Sequence, residues 1–90
     1  FKRPGKIRMA TIRIETARIA TSEDIVRVRQ LVRDAAVRLS FSLVDQTKIV
    51  TAASELARNT LEYGGGGTVN IEELADYGRF GVQLVFEDQG

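Results

Sequence analysis

The residue pattern predicts an α+β fold, with two helices over one face of a largely antiparallel sheet, in the order β-α-α-β-β. Three observations carry the prediction. Ile25, Val28, Val32, Ala35 or Ala36, and Leu39 recur at helical spacing. Phe80, Val82, Leu84 and Phe86 alternate with Gly81, Gln83, Val85 and Glu87, the period of a strand with two unlike faces. Thr21 with Asp24 and Ser42 with Asp45 give two helix-start signals at the heads of the apolar-periodic stretches.

In chain order, Phe1 to Lys6 is a leader without periodicity. Ile7 and Met9 alternate with Arg8, and Ile12 and Ile14 with Arg13, but the parity shifts between the two sets. One strand with a bulge near Ala10-Thr11, or two short segments, accounts for the shift. The first helix runs from its Thr21 cap to about Leu39. Ser40-Phe41-Ser42 breaks it, and the second helix spans about Leu43 to Tyr63. Gly64 to Gly67 ends that helix, with Gly64 suited to the left-handed position after it. Four glycines in succession are expected to form a mobile link. Thr68 to Leu74 reads as a strand, Asp76-Tyr77-Gly78 as a hairpin turn, and Phe80 onward as the last strand.

Composition narrows the chemistry. Ninety residues make one domain, and 43% hydrophobic with 28% charged residues is ordinary for a soluble globular chain. Thirteen Lys and Arg against twelve Asp and Glu leave a net charge of +1. No basic patch is interleaved with aromatics, so no nucleic-acid partner is expected. The absence of cysteine and histidine excludes zinc sites, thiol nucleophiles, disulfides and His-dependent triads. Acid–base work falls to carboxylates, and any metal must be oxygen-ligated. No apolar run reaches membrane-spanning length and no signal peptide opens the chain, so a cytoplasmic protein is expected. The end at Gly90, directly after a strand-like run, suggests a fragment.

Glu55, Asn59 and Tyr63 stand at i, i+4 and i+8 of the second helix and share a stripe. Ile49, Ala52, Ala53 and Leu56 lie beside it and draw part of it toward the core. Glu55 and Asn59 set a carboxylate and a carboxamide about 6 Å apart, hard oxygens suited to a hydrated Mg²⁺ against a phosphate. Asp88 continues the parity of Phe80 to Phe86, which points its carboxylate at the helical layer. A carboxylate so placed needs hydrogen-bond donors, and the exocyclic amine of adenine is one. The three residues are therefore expected to line one cavity between the second helix and the sheet. Arg58 and Glu62, one turn apart, would frame its rim.

The set Glu55-Leu56-Ala57-Arg58-Asn59 on a helix, then strands, then Val85-Phe86-Glu87-Asp88-Gln89-Gly90, resembles the GHKL ATPase/kinase superfamily. There the helix motif is the N-box and Asp-x-Gly-x-Gly the adenine box. With Phe41-Ser42-Leu43-Val44-Asp45-Gln46-Thr47 before it, the chain looks like RsbT-type serine/threonine kinases of bacterial partner-switching stress circuits. The resemblance implies the Bergerat ATP-binding fold and a histidine-kinase-like ATPase domain over residues 1–90, cut before the ATP lid. It implies ATP and Mg²⁺ as cofactors, with Asn59 as metal ligand, Glu55 as general base, Asp88 as adenine anchor and Gly90 keeping that loop close. The second glycine of the adenine box and the lid would fall beyond residue 90.

The resemblance further implies a STAS-domain antagonist or scaffold as substrate or partner, and a phosphatase as a second partner. The alternatives are a non-catalytic switch that activates a phosphatase, or an RsbW-type anti-sigma factor. The Leu56-Ala57-Arg58 filling looks less like that last branch. Without its remaining strands the chain is expected to bind ATP weakly, transfer no phosphate and self-associate as a homo-oligomer.

Overall fold

The computed structural model describes residues 10–88. The expected alternation at Ile7 and Met9, and the role implied for Gly90, lie outside the described residues. The elements are β1 (Ala10–Ile19), α1 (Ser22–Arg38), α2 (Leu43–Tyr63), β2 (Gly67–Asp76) and β3 (Arg79–Asp88). The strands form one antiparallel sheet in the order β1-β2-β3, with β2 in the centre. The α+β arrangement read from the sequence is thus the observed one.

Helix boundaries follow from local chemistry. At the head of α1 the Thr21 hydroxyl accepts from the Asp24 N–H, and the Asp24 carboxylate accepts from the N–H groups of Ala20 and Thr21 at 2.7 and 2.9 Å. Those backbone donors, Ala20 first, hold the Asp24 carboxyl below its ordinary value. At the tail, the Phe41 N–H reaches the Ala36 carbonyl at 2.9 Å and the Ser40 N–H reaches that of Val37 at 3.0 Å. This is a Schellman close, with Ser40 at φ 62° where glycine is the usual residue. The Ser42 hydroxyl then caps α2 by accepting from the Asp45 N–H at 3.1 Å.

The core lies between the helices and one sheet face. Along β2, Gly67, Val69, Ile71 and Glu73 are buried while the residues between them are half-buried. Val82, Leu84 and Phe86 of β3 pack on the same core, as their alternation predicts. Ile25, Val28, Val32 and Ala35 of α1 meet Val50, Ala53 and Ala57 of α2 in the core cluster. The alanines leave room for the two helices to approach closely.

β1 departs from expectation. The bulge falls between Thr11 and Arg13, just past the expected place, and the strand continues to Ile19. Ile12 and Ile14 are exposed, while Ala17 and Ile19 supply the buried side chains. Ile14 pairs with Glu72, on the sheet face turned from the helices. At the other end of β2, Tyr77 and Gly78 form the hairpin loop with φ 48° and 82°. Two positive values in succession mark a type I′ turn.

Glu73 is a charge inside this core, its side chain only 5% exposed. The Arg38 Nε donates to its Oε2 at 3.0 Å, and the Arg13 Nε lies 3.6 Å away across the β1–β2 ladder. Donating to the Glu73 carboxylate holds the Arg38 guanidinium more firmly protonated than usual. The two partners are not equivalent, because Arg38 is half-exposed. Arg38→Ala leaves the buried carboxylate with only the longer Arg13 contact and is expected to cost about 3 kcal/mol. Glu73→Leu lets Arg38 turn to water and is expected to cost less than about 1 kcal/mol. Urea unfolding of both variants checks this; equal losses would contradict it.

Candidate functional site

Side chains at Val50, Ala53, Ala57 and Thr60 bury one face of α2. At 100° per residue, Glu55 and Asn59 fall roughly 180° and 140° from the mean direction of that set. Both are exposed, as are Arg58, Glu62 and Tyr63. Of the apolar neighbours expected to draw the stripe inward, Ala53 is buried, but Ala52 and Leu56 are exposed. Glu55 and Asn59 therefore share a stripe, as their spacing predicts, but it faces solvent. Among the described residues, and contrary to expectation, Glu55 and Asn59 therefore do not join Asp88 in lining a cavity between α2 and the sheet. The buried face of α2 fills that space, and the carboxylate and carboxamide stand on the far side of the helix.

Asp88 sits elsewhere along α2. It closes β3 opposite Gly67, on the helix-covered face, as strand parity predicts. A side chain at Gly64, the residue ending α2, would collide with that of Asp88, so the two are in direct apposition. Gly64 follows Asn59 by five positions, about 7 Å along the helix axis. The carboxylate and the Glu55/Asn59 stripe thus belong to the same end of the molecule but to different sides of α2.

The glycine segment that joins them is not a mobile link. Gly64, Gly66 and Gly67 are buried. The Thr60 carbonyl accepts from the N–H groups of both Gly64, at 3.1 Å, and Gly66, at 2.9 Å. Gly64 keeps a helical φ of −98°, and the left-handed values fall on Gly65 at 73° and Gly66 at 96°. Glycine is needed here because backbone approaches backbone: a side chain at Gly66 would meet the Ile19 carbonyl at 2.9 Å.

Among the described residues no three His, Cys, Asp or Glu side chains are grouped to hold a metal ion. Asn59 fits Mg²⁺ only as a partial ligand, since this ion commonly keeps several waters and takes phosphate oxygens beside nucleotides. An open groove of about 360 Å³ lies over the first turns of α2, lined by Leu43, Val44, Thr47 and Lys48. It is roughly 16–24 Å along the axis from Asn59, so it belongs to a different surface. Among the described residues no helix is long and apolar enough to cross a membrane.

The element order β-α-α-β-β, with Glu55 and Asn59 on α2 and Asp88 at the end of the following hairpin, is consistent with the early part of a GHKL domain, although the three side chains do not converge. No family model and no solved structure matches the chain. A curated protein does: the serine/threonine-protein kinase RsbT of Bacillus subtilis strain 168 is 52% identical over 73 residues. That alignment covers 81% of this chain and 55% of the kinase. The chain is an RsbT-type relative, and it spans about half the length of the curated protein it matches.

The sequence reading took Gly64 and Gly67 as the helix end and a mobile link, without their close approach to β3, and did not single out the Glu73 carboxylate. Glu73 did leave a signal, since it continues the alternation of Val69 and Ile71.

Proposed function

We propose that this chain belongs to a serine/threonine protein kinase that binds Mg-ATP and phosphorylates a STAS-domain antagonist in a bacterial partner-switching pathway. The observation that carries the reading is the 52% identity, over 73 residues, to a serine/threonine-protein kinase. The exposed stripe supports it chemically. Asn59 offers an oxygen without adding negative charge beside a polyphosphate, and Glu55, one turn back, is a carboxylate open to an incoming protein hydroxyl. Asn59 would help to hold Mg²⁺, whose positive charge would offset that of the phosphates.

Asp88, accepting a hydrogen bond from the exocyclic amine, would orient the adenine. Glu55 would take the proton of the partner serine as its oxygen attacks the γ-phosphorus and the bond to the β-phosphate breaks. Gly90 would keep the adenine loop close. Enclosing the phosphates falls to the remaining length seen in the relative, because positioning and charge stabilisation carry phosphoryl transfer. The expected setting is cytoplasmic.

A second reading is a non-catalytic switch that docks on and activates a phosphatase. Leu43 and Val44, 75% and 62% exposed beside the groove on early α2, favour it. The decisive experiment incubates the full-length protein with γ-labelled ATP, Mg²⁺ and a STAS-domain partner. Label on a partner serine is expected. No label, with the partner still bound, would leave only the docking role.

A further inference from the structure

We propose that Gly64 fixes where the Asp88 carboxylate sits and thereby sets selectivity for adenine over 6-oxopurines. The inference rests on Asp88 being the adenine-binding group. A methyl group at Gly64 would lie 2.6 Å from Asp88 Oδ2 and 2.8 Å from its Cγ, and closer still to its Cβ. Carbon contacts are ordinarily 3.5–4.0 Å, so one side must give way.

The helix end is the less free of the two, and the close of β3 yields only by giving up its last pairing. Gly64 is held by its N–H bond to the Thr60 carbonyl at 3.1 Å, and the turn behind it by the Gly66 bond to the same carbonyl at 2.9 Å. Asp88 pairs with Gly67 at the close of the β2–β3 ladder, and a Cβ at Gly67 would lie 2.8 Å from the Asp88 Cα. The atom met first is the Asp88 Cβ, which no side-chain rotation moves, so strain at Gly64 must shift the end of β3 and carry the Asp88 carboxylate away from the helix end. An adenine amine donates to a carboxylate, whereas a 6-oxo group only accepts and is repelled by it. Recognition of this kind tolerates displacement of only about 0.5 Å or 20°. The hydrogen at Gly64 is what leaves the carboxylate in place, so Gly64 is a positioning residue for the base.

The test titrates ATP and ITP separately, by calorimetry, into the full-length protein and its Gly64→Ala, Gly65→Ala and Asp88→Asn variants, with thermal unfolding of each. Wild type is expected to prefer ATP, and Asp88→Asn to abolish the preference. Gly64→Ala is expected to lower the ATP/ITP affinity ratio about tenfold or more, the effect of losing a hydrogen bond to a charged group. Gly65→Ala controls for damage to the turn. Its φ of 73° strains alanine, yet nothing lies within 4 Å of the added carbon, so Tm falls and the ratio stays.

An unchanged ratio in Gly64→Ala overturns the proposal. Failure of wild type to bind ATP, or an unchanged ratio in Asp88→Asn, overturns the nucleotide reading itself and the proposal with it. If Gly64→Ala does not fold, the Gly64→Ala/Asp88→Gly pair decides, because it removes the group the methyl strikes. Recovery of folding supports the proposal, and no recovery overturns it.

Discussion

Glu55→Gln in the full-length protein is expected to lower phosphoryl transfer to the partner serine by roughly 10²–10⁴-fold, the usual worth of a positioned general base. ATP affinity and Tm should stay close to wild type. The geometry makes this a clean substitution. Glu55 points away from the core, opposite Ala53 and Ala57, so the fold does not depend on its charge. Glutamine keeps the length of the side chain and one hydrogen-bonding oxygen, but it cannot take up the serine proton. Adenine recognition, assigned to Asp88 about 14 Å along the helix axis, lies beyond its reach. Asn59→Ala should behave differently and weaken Mg-ATP binding itself, because it removes the oxygen one turn nearer Asp88. Single-turnover transfer and nucleotide titration separate the two. Transfer by Glu55→Gln within a few-fold of wild type would remove Glu55 from the role of base.

Most of the architecture was legible because two independent signals agreed. For both helices the apolar period of 3.6 and the Ser/Thr-x-x-Asp caps marked the same boundaries. The structure runs α2 over Leu43–Tyr63, as the sequence reading had it. Where only one signal was present, the reading slipped. Ile12 and Ile14 alternate as core residues do, yet alternation says that two faces differ, not which of them is covered. The decision came from Ala17 and Ile19, reached through a polar stretch that carries no strand signal of its own. The stripe of Glu55 and Asn59 shows the same gap. Spacing placed the two residues on one face, whereas the direction of that face was set by Val50, Ala53, Ala57 and Thr60 together.

The glycine segment was misread for a further reason. A run of glycines advertises freedom in φ, and Gly65 and Gly66 use it, with values of 73° and 96°. Gly64 and Gly67 are glycine for the opposite reason, which is close approach by another part of the chain. No local pattern reveals a neighbour that arrives twenty residues later along β3. The same holds for Glu73. Beside Glu72 it looks like half of a solvated acidic pair, and only the register that sets it against Arg13 and under Arg38 makes it a buried ion.

Gly67→Ala is expected to be the most damaging single-methyl change to the fold, at about 3 kcal/mol or more. The added carbon would fall within bonding-scale distance of the Glu87 carbonyl oxygen and 2.8 Å from the Asp88 Cα. Both obstacles are backbone, so no rotamer change relieves them. Gly67 also sits in the central strand, paired with Ile19 on one side and Asp88 on the other. Relief by moving β2 would open the ladder to β1 where Ile19, a fully buried side chain, anchors the core. The cheaper escape is to release the end of β3, which forfeits the last pairing and moves Asp88 away from Gly64. A domain of this size is stable by roughly 5–15 kcal/mol, so the loss is a large share of the total. Gly65→Ala supplies the comparison, since it meets open space and bears only the strain of a positive φ, about 1 kcal/mol. Urea midpoints should therefore rank wild type above Gly65→Ala, and Gly65→Ala well above Gly67→Ala. Were Gly67→Ala as stable as Gly65→Ala, the close backbone approach at Glu87 and Asp88 would not be a feature of the protein in solution.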